Sequence, residues 1–432
     1  MKKIIALALL LILCFAVVSL IAFFNAEHSE PSWVMWSQTY GGAENDYANS
    51  VVQTSDGGYA IAGSTQSFGA GNTDFWLVKT DGAGNMKWSR TYGGEVNDIA
   101  YSLVQTSDGG FALAGEANSF IGESADFWLV KTDERGNMEW NRTYGGIGND
   151  RAKSLIQTSD GGYALAGSTE AFGAGEWDSW LVKTDEYGDM EWNKTYGGTR
   201  SEGASSLIVT SDGGFALAGS TSSFGVGLIN FWLVKTDGAG NMEWNQTYGS
   251  SIRNFFSSLI EVSDGGFVMA GDIHSGDAGG ENFWLVKTDG AGNMEWNQTY
   301  IEADMDRPHS LVQTSDGGFA LAGETKSFGA GNFDFWLVKT DGLGNKEWNR
   351  TYGGADIDRA NSVVQTSDGG YAVAGNTLSF GAGSYDFWLV KTNAQGIPEF
   401  PSWTILPLLL AATVVVIVYR KKLYRTQTQQ SY

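Results

Sequence analysis

The sequence predicts an all-β fold, a seven-bladed β-propeller of four-stranded antiparallel blades. The tetrapeptide Ser-Asp-Gly-Gly occurs seven times at a spacing of 52 residues, from the copy at Ser55 to the copy at Ser367. Trp-Leu-Val-Lys-Thr occurs seven times in the same register, and so does a Trp followed four residues later by a Tyr. A repeat of this length with four strand signals and no helix signal is typical of propeller blades.

One repeat, residues 50–92, contains four predicted strands in order. Asp56-Gly57-Gly58 is the first hairpin turn, in which glycine supplies a positive φ, and residues 81–85 form the second turn. Two hairpins in one repeat give one four-stranded antiparallel sheet. The predicted strands are Ser50 to Thr54, Tyr59 to Ser64, Phe75 to Thr80 and Met86 to Tyr92.

The two ends of the array predict a closed ring. The array begins with a lone fourth strand, Trp33 to Tyr40, and ends with a third strand, Phe387 to Thr392, that has no fourth. We expect the first strand to complete the last blade, because that pairing removes two open sheet edges. The hairpin turns then share one face, the hairpin face. The links between blades and the loops between second and third strands share the opposite face, the loop face.

Composition excludes several classes of function. The 432-residue chain has a formal charge of −22, which disfavours nucleic-acid binding and suits solubility or attraction of cations or basic partners. Its single cysteine, Cys14, precedes the repeats, so the propeller has no disulfide or thiolate metal site. The three histidines, His28, His274 and His309, are too few for a histidine-based metal centre or catalytic triad.

Apolar segments at both ends predict a membrane-anchored protein of the cell surface. Residues 1–26 read as a signal peptide or N-terminal anchor, and residues 403–419 as a transmembrane helix followed by a basic tail, 420–432. The basic clusters are expected to stay in the cytoplasm, which leaves the propeller, 33–396, outside. Both segments join the propeller on its hairpin face, so we expect the loop face to point outward.

A short linker, 397–402, precedes the C-terminal apolar segment and contains Pro398, Glu399, Phe400 and Pro401. This PEFP motif, the apolar span and the basic tail resemble the C-terminal sorting signals of archaeal surface proteins, the PEF-CTERM type. The resemblance covers about thirty residues and implies removal of the tail by an archaeosortase-like membrane enzyme. An ordinary tail anchor behind a proline-containing linker is the alternative.

The repeat unit also carries a resemblance. Asp-Gly-Gly-Phe/Tyr-Ala-x-Ala-Gly, then Asp-Phe-Trp-Leu-Val-Lys-Thr-Asp, then Gly-Asn-x-x-Trp resembles the short β-propeller repeats of archaeal and bacterial surface proteins. The resemblance covers residues 33–396 and implies a propeller in an extracellular setting, with no reaction attached. Thr-Asp-x-x-Gly-Asn-x-x-Trp is faintly similar to the tryptophan motif of quinoprotein propellers. Those usually have eight blades, and the sequence offers no ligand set for their quinone and metal site.

Two series of acidic residues recur at fixed positions of the repeat. The first begins the predicted innermost strand on the loop face, where a ring of carboxylates around the channel mouth could bind calcium or hold each blade start in place. The second precedes the third strand, where exchange of Asp with Asn favours a turn acceptor. The first series is Asp46, Asp98, Asp150, Glu202, Asp306 and Asp358, with Asn254 in the fifth link. The second is Asp74, Asp126, Asp178, Asp334 and Asp386, with Asn230 and Asn282.

Two further groups are candidate sites. Five glycosylation sequons occupy one repeat position on the outermost strand, which is compatible with N-glycosylation or with descent of a polar strand face. The least regular stretch, 249–310, contains candidate binding residues on neighbouring blades, although drift would produce the same irregularity. The sequons are at Asn141, Asn193, Asn245, Asn297 and Asn349; the binding candidates are His274, His309, Phe255 and Phe256.

The function that this sequence favours is non-enzymatic binding of a glycan, a matrix component or a protein through the loop face. No cofactor other than calcium is suggested. The alternatives are a glycosidase or lyase that uses channel-mouth carboxylates and a purely structural component of the cell envelope. One desolvated carboxylate beside a distinct partner would favour the enzyme, whereas equal environments around the ring would count against it.

Overall fold

The computed structural model describes residues 36–118, 124–249, 253–275, 280–300, 302 and 304–396. The predicted signal segment, PEFP motif, C-terminal helix and basic tail lie outside these residues. Within the described ranges, no helix is long and apolar enough to cross a membrane.

The described residues form 28 strands in seven four-stranded antiparallel sheets, as predicted. Blade 7 contains β1 (Trp36–Tyr40), β26 (Asp358–Gln365), β27 (Tyr371–Thr377) and β28 (Asp386–Thr392). Blade 1 contains β2 (Asp46–Gln53), β3 (Tyr59–Thr65), β4 (Asp74–Thr80) and β5 (Met86–Tyr92). Blade 2 contains β6 (Asp98–Gln105), β7 (Phe111–Ala117), β8 (Asp126–Thr132) and β9 (Met138–Tyr144). Blade 3 contains β10 (Asp150–Gln157), β11 (Tyr163–Thr169), β12 (Asp178–Thr184) and β13 (Met190–Tyr196).

The remaining blades follow in chain order. Blade 4 contains β14 (Glu202–Val209), β15 (Phe215–Thr221), β16 (Asn230–Thr236) and β17 (Met242–Tyr248). Blade 5 contains β18 (Asn254–Glu261), β19 (Phe267–Ser275), β20 (Gly280–Thr288) and β21 (Met294–Tyr300). Blade 6 contains β22 (Asp306–Gln313), β23 (Phe319–Thr325), β24 (Asp334–Thr340) and β25 (Lys346–Tyr352).

The ring closes as the permuted ends predict. Strand β1 pairs antiparallel with β28, with Trp36 opposite Lys391 and Tyr40 opposite Phe387. At the centre, the innermost strand β2 contacts both β6 and β26, so the innermost strands surround the axis without a gap. The backbone N–H of Val51 donates to Ser362 Oγ across the closing junction, at 3.2 Å. The first and last parts of the array are therefore joined at both the inner and the outer strands.

The innermost strands are longer than the sequence predicts. Strand β2 begins at Asp46 and ends at Gln53, whereas the predicted strand was Ser50 to Thr54. The earlier start arises because residues 46–48 continue the pairing with residues 63–65 of β3. The observed bounds of β5 are those predicted, and those of β3 and β4 differ by one residue.

Aromatic rings pack the blades against one another. A Trp on the third strand contacts a Phe on the third strand of the preceding blade, for example Trp128 with Phe75 at a centroid distance of 4.5 Å. A Trp on the fourth strand contacts an aromatic residue of the following blade, for example Trp140 with Tyr163 at 5.7 Å. Aromatic burial of this kind dominates core energetics, so the seven interfaces supply much of the stability of the ring.

Each outermost strand is also tied to the following blade by a tyrosine. The Tyr40 hydroxyl donates to the carbonyl oxygen of Gly84 at 2.6 Å, and the same bond recurs in all seven blades, 44 residues apart each time. Removing one such donor leaves a carbonyl without its partner and costs about 1 kcal/mol. The repeated Tyr of the sequence therefore closes the outer rim of the propeller.

The Lys of Trp-Leu-Val-Lys-Thr forms ion pairs and hydrogen bonds that connect the strands at the hairpin face. In blade 3, Lys183 Nζ lies 2.8 Å from Asp160 Oδ2 and 3.0 Å from Glu191 Oε2, and it donates to the carbonyl oxygen of Thr184. Burial opposes the ionisation of Asp160, but hydrogen bonds from Lys183 and its neighbours outweigh it and lower the pKa to about 2. The Asp of Ser-Asp-Gly-Gly is thus a structural ion-pair partner in every blade.

Candidate functional site at the channel rim

The innermost strands share an irregularity near the loop face. Each pairs with its second strand through a register shift at its fourth residue, as between Ala48 and Ser50 of β2. That fourth residue is left without a cross-strand partner, which is the property of a β-bulge. Bulges commonly re-aim side chains beside functional sites.

Four positions around this bulge differ from blade to blade, although the strands around them are nearly invariant. They are the second and fourth residues of the innermost strand, the sixth residue of the second strand and the residue that precedes the repeated Asp or Asn of the third strand. We call these residues the channel rim. For blades 1 to 7 in turn the rim is Tyr47, Asn49, Ser64, Thr73; Ile99, Tyr101, Glu116, Ala125; Arg151, Lys153, Ser168, Trp177; Gly203, Ser205, Ser220, Ile229; Phe255, Ser257, Asp272, Glu281; Arg307, His309, Glu324, Phe333; and Arg359, Asn361, Asn376, Tyr385.

Blades 6 and 7 place two arginines around one buried carboxylate. The Glu324 side chain is only 3% exposed. Its Oε1 lies 3.2 Å from Nη1 of Arg307, and its Oε2 accepts a hydrogen bond from Nε of Arg359. A buried carboxylate between two guanidinium groups holds both of them in fixed positions. The rim therefore presents ordered arginines rather than freely moving ones.

Blade 5 contributes a carboxylate in a different environment. Asp272 is 5% exposed, and its Oδ2 is buried without a hydrogen-bond partner. Burial, with a smaller contribution from the charge of Glu281, raises the pKa of Asp272 to about 7 against the opposing charge of Arg307. Glu281 itself forms an ion pair with Arg307. This is one desolvated carboxylate beside distinct partners, the observation that favours acid–base chemistry.

His309, one of the binding residues predicted from the sequence, occupies the bulge position of blade 6. Burial lowers its pKa; Glu324 opposes this shift, while Arg307 and Arg359 add to it. The two phenylalanines predicted as binding residues differ in exposure. Phe255 is 40% exposed at the rim, whereas Phe256 is buried and contacts Phe231.

His274 lies on the hairpin extension of blade 5, away from the bulge position. Its backbone N–H donates to the carbonyl oxygen of Arg253 at 3.3 Å, and it pairs with Glu281 across β19 and β20. These two strands have nine residues, where their counterparts in other blades have seven, because residues 274–275 and 280–281 continue the pairing. The second and third strands of blade 5 thus pair over two more residues each than those of the other blades.

Aromatic residues complete the rim. Tyr47 contacts Tyr385 across the closing junction, at a centroid distance of 5.2 Å. The guanidinium of Arg359 lies 5.4 Å from the ring centroid of Phe333, and that of Arg151 lies 5.2 Å from Trp177. Tyr, Trp and Arg are the residues that contribute most at binding surfaces. The rim therefore combines stacking surfaces with fixed charges.

The repeated acids predicted to ring the channel mouth are buried within the junctions between blades. Asp46 is 0% exposed. Its Oδ2 accepts hydrogen bonds from the Gly42 N–H and Ser67 Oγ, and its Oδ1 accepts one from Thr65 Oγ1. Asp98, Asp150, Asp306 and Asp358 are likewise 0% exposed, and Glu202 is 2% exposed. These bonds hold the blade start to its own second–third strand loop.

The two acidic series meet at these junctions. A Cβ built on Gly353 would collide with Oδ1 of Asp334 and lie 2.9 Å from Oδ2 of Asp358, so two carboxylates from adjacent blades converge on one glycine. Burial raises the pKa of Asp334 to about 6; the charge of Asp358 adds to this shift, and the hydrogen bond from the Gly331 N–H opposes it. Only glycine fits between the two groups. At the junction of blades 4 and 5 both carboxylates are replaced together, by Asn230 and Asn254.

These junctions do not suit a calcium ion. Calcium takes six to eight oxygen ligands, whereas the Asp334 and Asp358 carboxylates accept hydrogen bonds from the N–H groups of Gly331 and Gly354. Among the residues that the structure describes, no three acidic or histidine side chains are grouped as a metal site. The donor sets of the junctions thus favour the structural role for the acids.

The sequon asparagines have a packing role. The indole N–H of Trp128 donates to Asn141 Oδ1 at 3.2 Å, and the same bond joins Trp180, Trp232 and Trp284 to their Asn residues. This hydrogen bond is a reason for the repeated Asn that does not depend on glycosylation. Asn193, Asn245 and Asn297 are exposed, while Asn141 and Asn349 are partly buried, so glycosylation stays a prediction.

Sequence reasoning missed most of the rim because it looked for repeated acids. The signal that would have found it is the reverse: blade-to-blade variation inside an otherwise invariant strand, as at Asn49, Tyr101 and Lys153. Glu116, Asp272, Glu281 and Glu324 are acids at positions that are uncharged in four or more of the other blades, and each contacts or lies near an arginine.

Comparison with known proteins supports the fold. No family model matches the chain. Regulatory protein FlaEY of Caulobacter vibrioides is 25% identical over 261 residues, which are 54% of this chain and 27% of that protein. The chain thus matches well under two thirds of that relative. The Pan2 WD40 domain of Neurospora crassa superposes with a TM-score of 0.50 at 12% identity, covering 86% of this chain and 100% of that one. Sqt1 from Chaetomium thermophilum gives 0.46 at 11% identity, covering 84% and 99%. The Pan2 similarity shows the propeller fold alone.

Proposed function

We propose that this protein is a non-enzymatic binding propeller of the cell surface, which recognises a glycan, a matrix component or a protein partner through its channel rim. The observation that carries the proposal is the rim itself, where Phe333, Tyr47 and Tyr385 each differ from their counterparts in every other blade, and where Arg359 is held by the buried carboxylate of Glu324. Aromatic rings and a fixed guanidinium grouped at one end of the innermost strands form a surface suited to binding. The relative in Caulobacter is named a regulatory protein, and regulation through binding is compatible with this proposal.

The proposal includes the setting of the molecule. Strand β1 begins and β28 ends at the hairpin face, and the apolar segments at residues 4–24 and 403–419 precede and follow these strands in the sequence. Anchoring through these segments would direct the loop face, and so the rim, away from the membrane. Protease protection of the two termini in intact cells would test this topology, and cleavage of both termini from outside would contradict it.

Binding is tested by applying the full-length protein to an array of glycans and matrix proteins. The matched variants are Arg359→Ala at the rim and Arg350→Ala on the outer strand, because Arg350 makes the same kind of stacking contact with Trp348 at 5.5 Å. We expect a ligand class that binds the wild type and Arg350→Ala and is lost in Arg359→Ala. Absence of any bound class, or equal loss in both variants, would contradict the proposal.

A second candidate function is acid–base catalysis, and Asp272 is the observation that favours it. A carboxyl group with a pKa of about 7 is partly protonated at neutral pH and can act as a general acid, while Glu281 is held in an ion pair by Arg307. Two carboxylates with such different environments are the requirement for glycoside hydrolysis.

Hydrolysis of fluorogenic glycosides and polysaccharides tests this second function. If Asp272 is the acid, the rate falls as pH rises through about 7, and Asp272→Asn lowers it at least about 100-fold. The control is Asp334→Asn, which removes a buried carboxyl from a junction between blades. Equal hydrolysis rates for the two variants, or no hydrolysis by the wild type above the uncatalysed background, would exclude this enzymatic function. Binding would then be the function that remains.

A further inference from the structure

Lys153 differs from the other lysines of the propeller. The seven lysines of Trp-Leu-Val-Lys-Thr are each held by at least one carboxylate on the hairpin face. Lys153 instead occupies the bulge position of β10 at the channel rim. It forms no ion pair with any carboxylate among the described residues, and it is the only lysine at a bulge position.

An aromatic ring, and no paired carboxylate of the described residues, is the contact of the Lys153 amine. Its Nζ lies 3.1 Å from the ring centroid of Tyr101, on the preceding blade. The nearby carboxylate of Glu116 is already engaged: it accepts a hydrogen bond from the Tyr101 hydroxyl at 3.0 Å and lies 2.9 Å from Nε of Arg151. On the following blade, the rim residue opposite is the uncharged Ser205.

These groups account for the titration of the amine. Burial lowers the pKa of Lys153 to about 8, the Glu116 carboxylate opposes the shift, and the Arg151 guanidinium adds to it. Below this pKa the ammonium is held over the aromatic face, and above it the amine has a free electron pair. An amine of this kind is a nucleophile at mildly alkaline pH, which an ordinary surface lysine is not.

We propose that Lys153 is a carbonyl-capture site at the channel rim, reactive toward small open-chain aldehydes such as reducing sugars. The amine nitrogen attacks the aldehyde carbon, and the resulting carbinolamine loses the carbonyl oxygen as water together with the two amine hydrogens. A C=N bond remains, and hydrolysis reverses the step. No oxidant or reductant is needed. The site does not depend on the proposed binding function, which would survive its failure.

Reductive trapping tests the proposal on the full-length protein. The protein is incubated with glyceraldehyde and cyanoborohydride, which reduces the imine to a stable secondary amine, and peptide mass spectrometry gives the alkylation rate of each lysine. Lys194 is the matched comparison, because its Nζ lies near an amide oxygen, that of Asn241 at 3.3 Å, and pairs with no described carboxylate. We expect Lys153 to react at least about fivefold faster than Lys194 at pH 7.5.

The pH profile separates a reactive amine from a merely accessible one. The alkylation rate of Lys153 should level off above about pH 8, while that of Lys194 continues to rise. Glu116→Gln removes the carboxylate that favours the ammonium, so it should increase the rate at pH 7.5. Alkylation of Lys153 no faster than that of Lys194, or a rate unchanged by Glu116→Gln, would overturn the proposal.

Discussion

Replacing one junction carboxyl by an amide should stabilise the propeller at high pH alone. In Asp334→Asn the new amide can donate to the carbonyl oxygen of Phe328, as Asn230 donates to that of Phe224 at 3.1 Å in blade 4. The folded-state pKa of Asp334, about 6, exceeds the value of about 3.9 for an unfolded Asp. The native carboxylate therefore destabilises the fold above pH 6, and this effect disappears as pH falls below about 4.

The size of the effect follows from the pKa difference. Two pKa units correspond to about 3 kcal/mol, and solvent screening near the loop reduces the expected gain to about 1–2 kcal/mol. Urea unfolding followed by tryptophan fluorescence at pH 8 and pH 4 measures it. The mirror variant Asn230→Asp should lose stability at pH 8 and little at pH 4. A gain for Asp334→Asn at both pH values, or at neither, would refute the reasoning that burial, together with the charge of Asp358, disfavours ionisation of Asp334.

Three further predictions concern packing and metal binding. Ser179 stands where the other blades have Phe before the third-strand Trp. Ser179→Phe should therefore supply Trp232 with its missing ring partner and raise the unfolding free energy by about 1–2 kcal/mol. A lower unfolding free energy, measured by urea denaturation, would show that the site is already filled. In protein made without glycosylation, Asn141→Ala should lower the unfolding free energy by about 1–2 kcal/mol, because it removes the acceptor of the Trp128 indole N–H. Asn349→Ala should lower it less, because the Trp336 indole N–H has no acceptor to lose. Equal losses of stability in the two variants would contradict this. Calcium at 1 mM should change the thermal midpoint by less than about 1 °C relative to chelator, and a clear rise would reveal a metal site.

The fold could be predicted from the sequence because every local signal is repeated seven times. The turn at Asp56-Gly57-Gly58, the third strand and the closing strand β1 all formed where the pattern placed them. The innermost strands were predicted too short, since the polar residues Asp46 and Asn49 hid a strand that begins with a buried acid and contains a bulge. The sequence pattern that predicts a strand is weaker where polar side chains form the junction between blades instead of packing on the face of a sheet.

The candidate site was harder to predict, for a geometric reason. The two members of a junction pair, such as Asp334 and Asp358, are 24 positions apart and belong to different blades, so their contact appears only when the blades are placed around the axis. The rim has the same property: Glu324 joins Arg307 and Arg359, which lie on different innermost strands. Periodicity identifies what each blade needs to fold, and departures from it identify what the ring as a whole presents.

Binding at the rim is the central claim, and isothermal titration with the strongest ligand class from the array tests it most directly. The protein is titrated as wild type, Arg359→Ala and Arg350→Ala, after unfolding curves confirm that all three fold. We predict at least about tenfold weaker binding for Arg359→Ala, or about 1.4 kcal/mol, and unchanged binding for Arg350→Ala. Unchanged affinity in Arg359→Ala would contradict the account and would place the binding surface away from the channel rim.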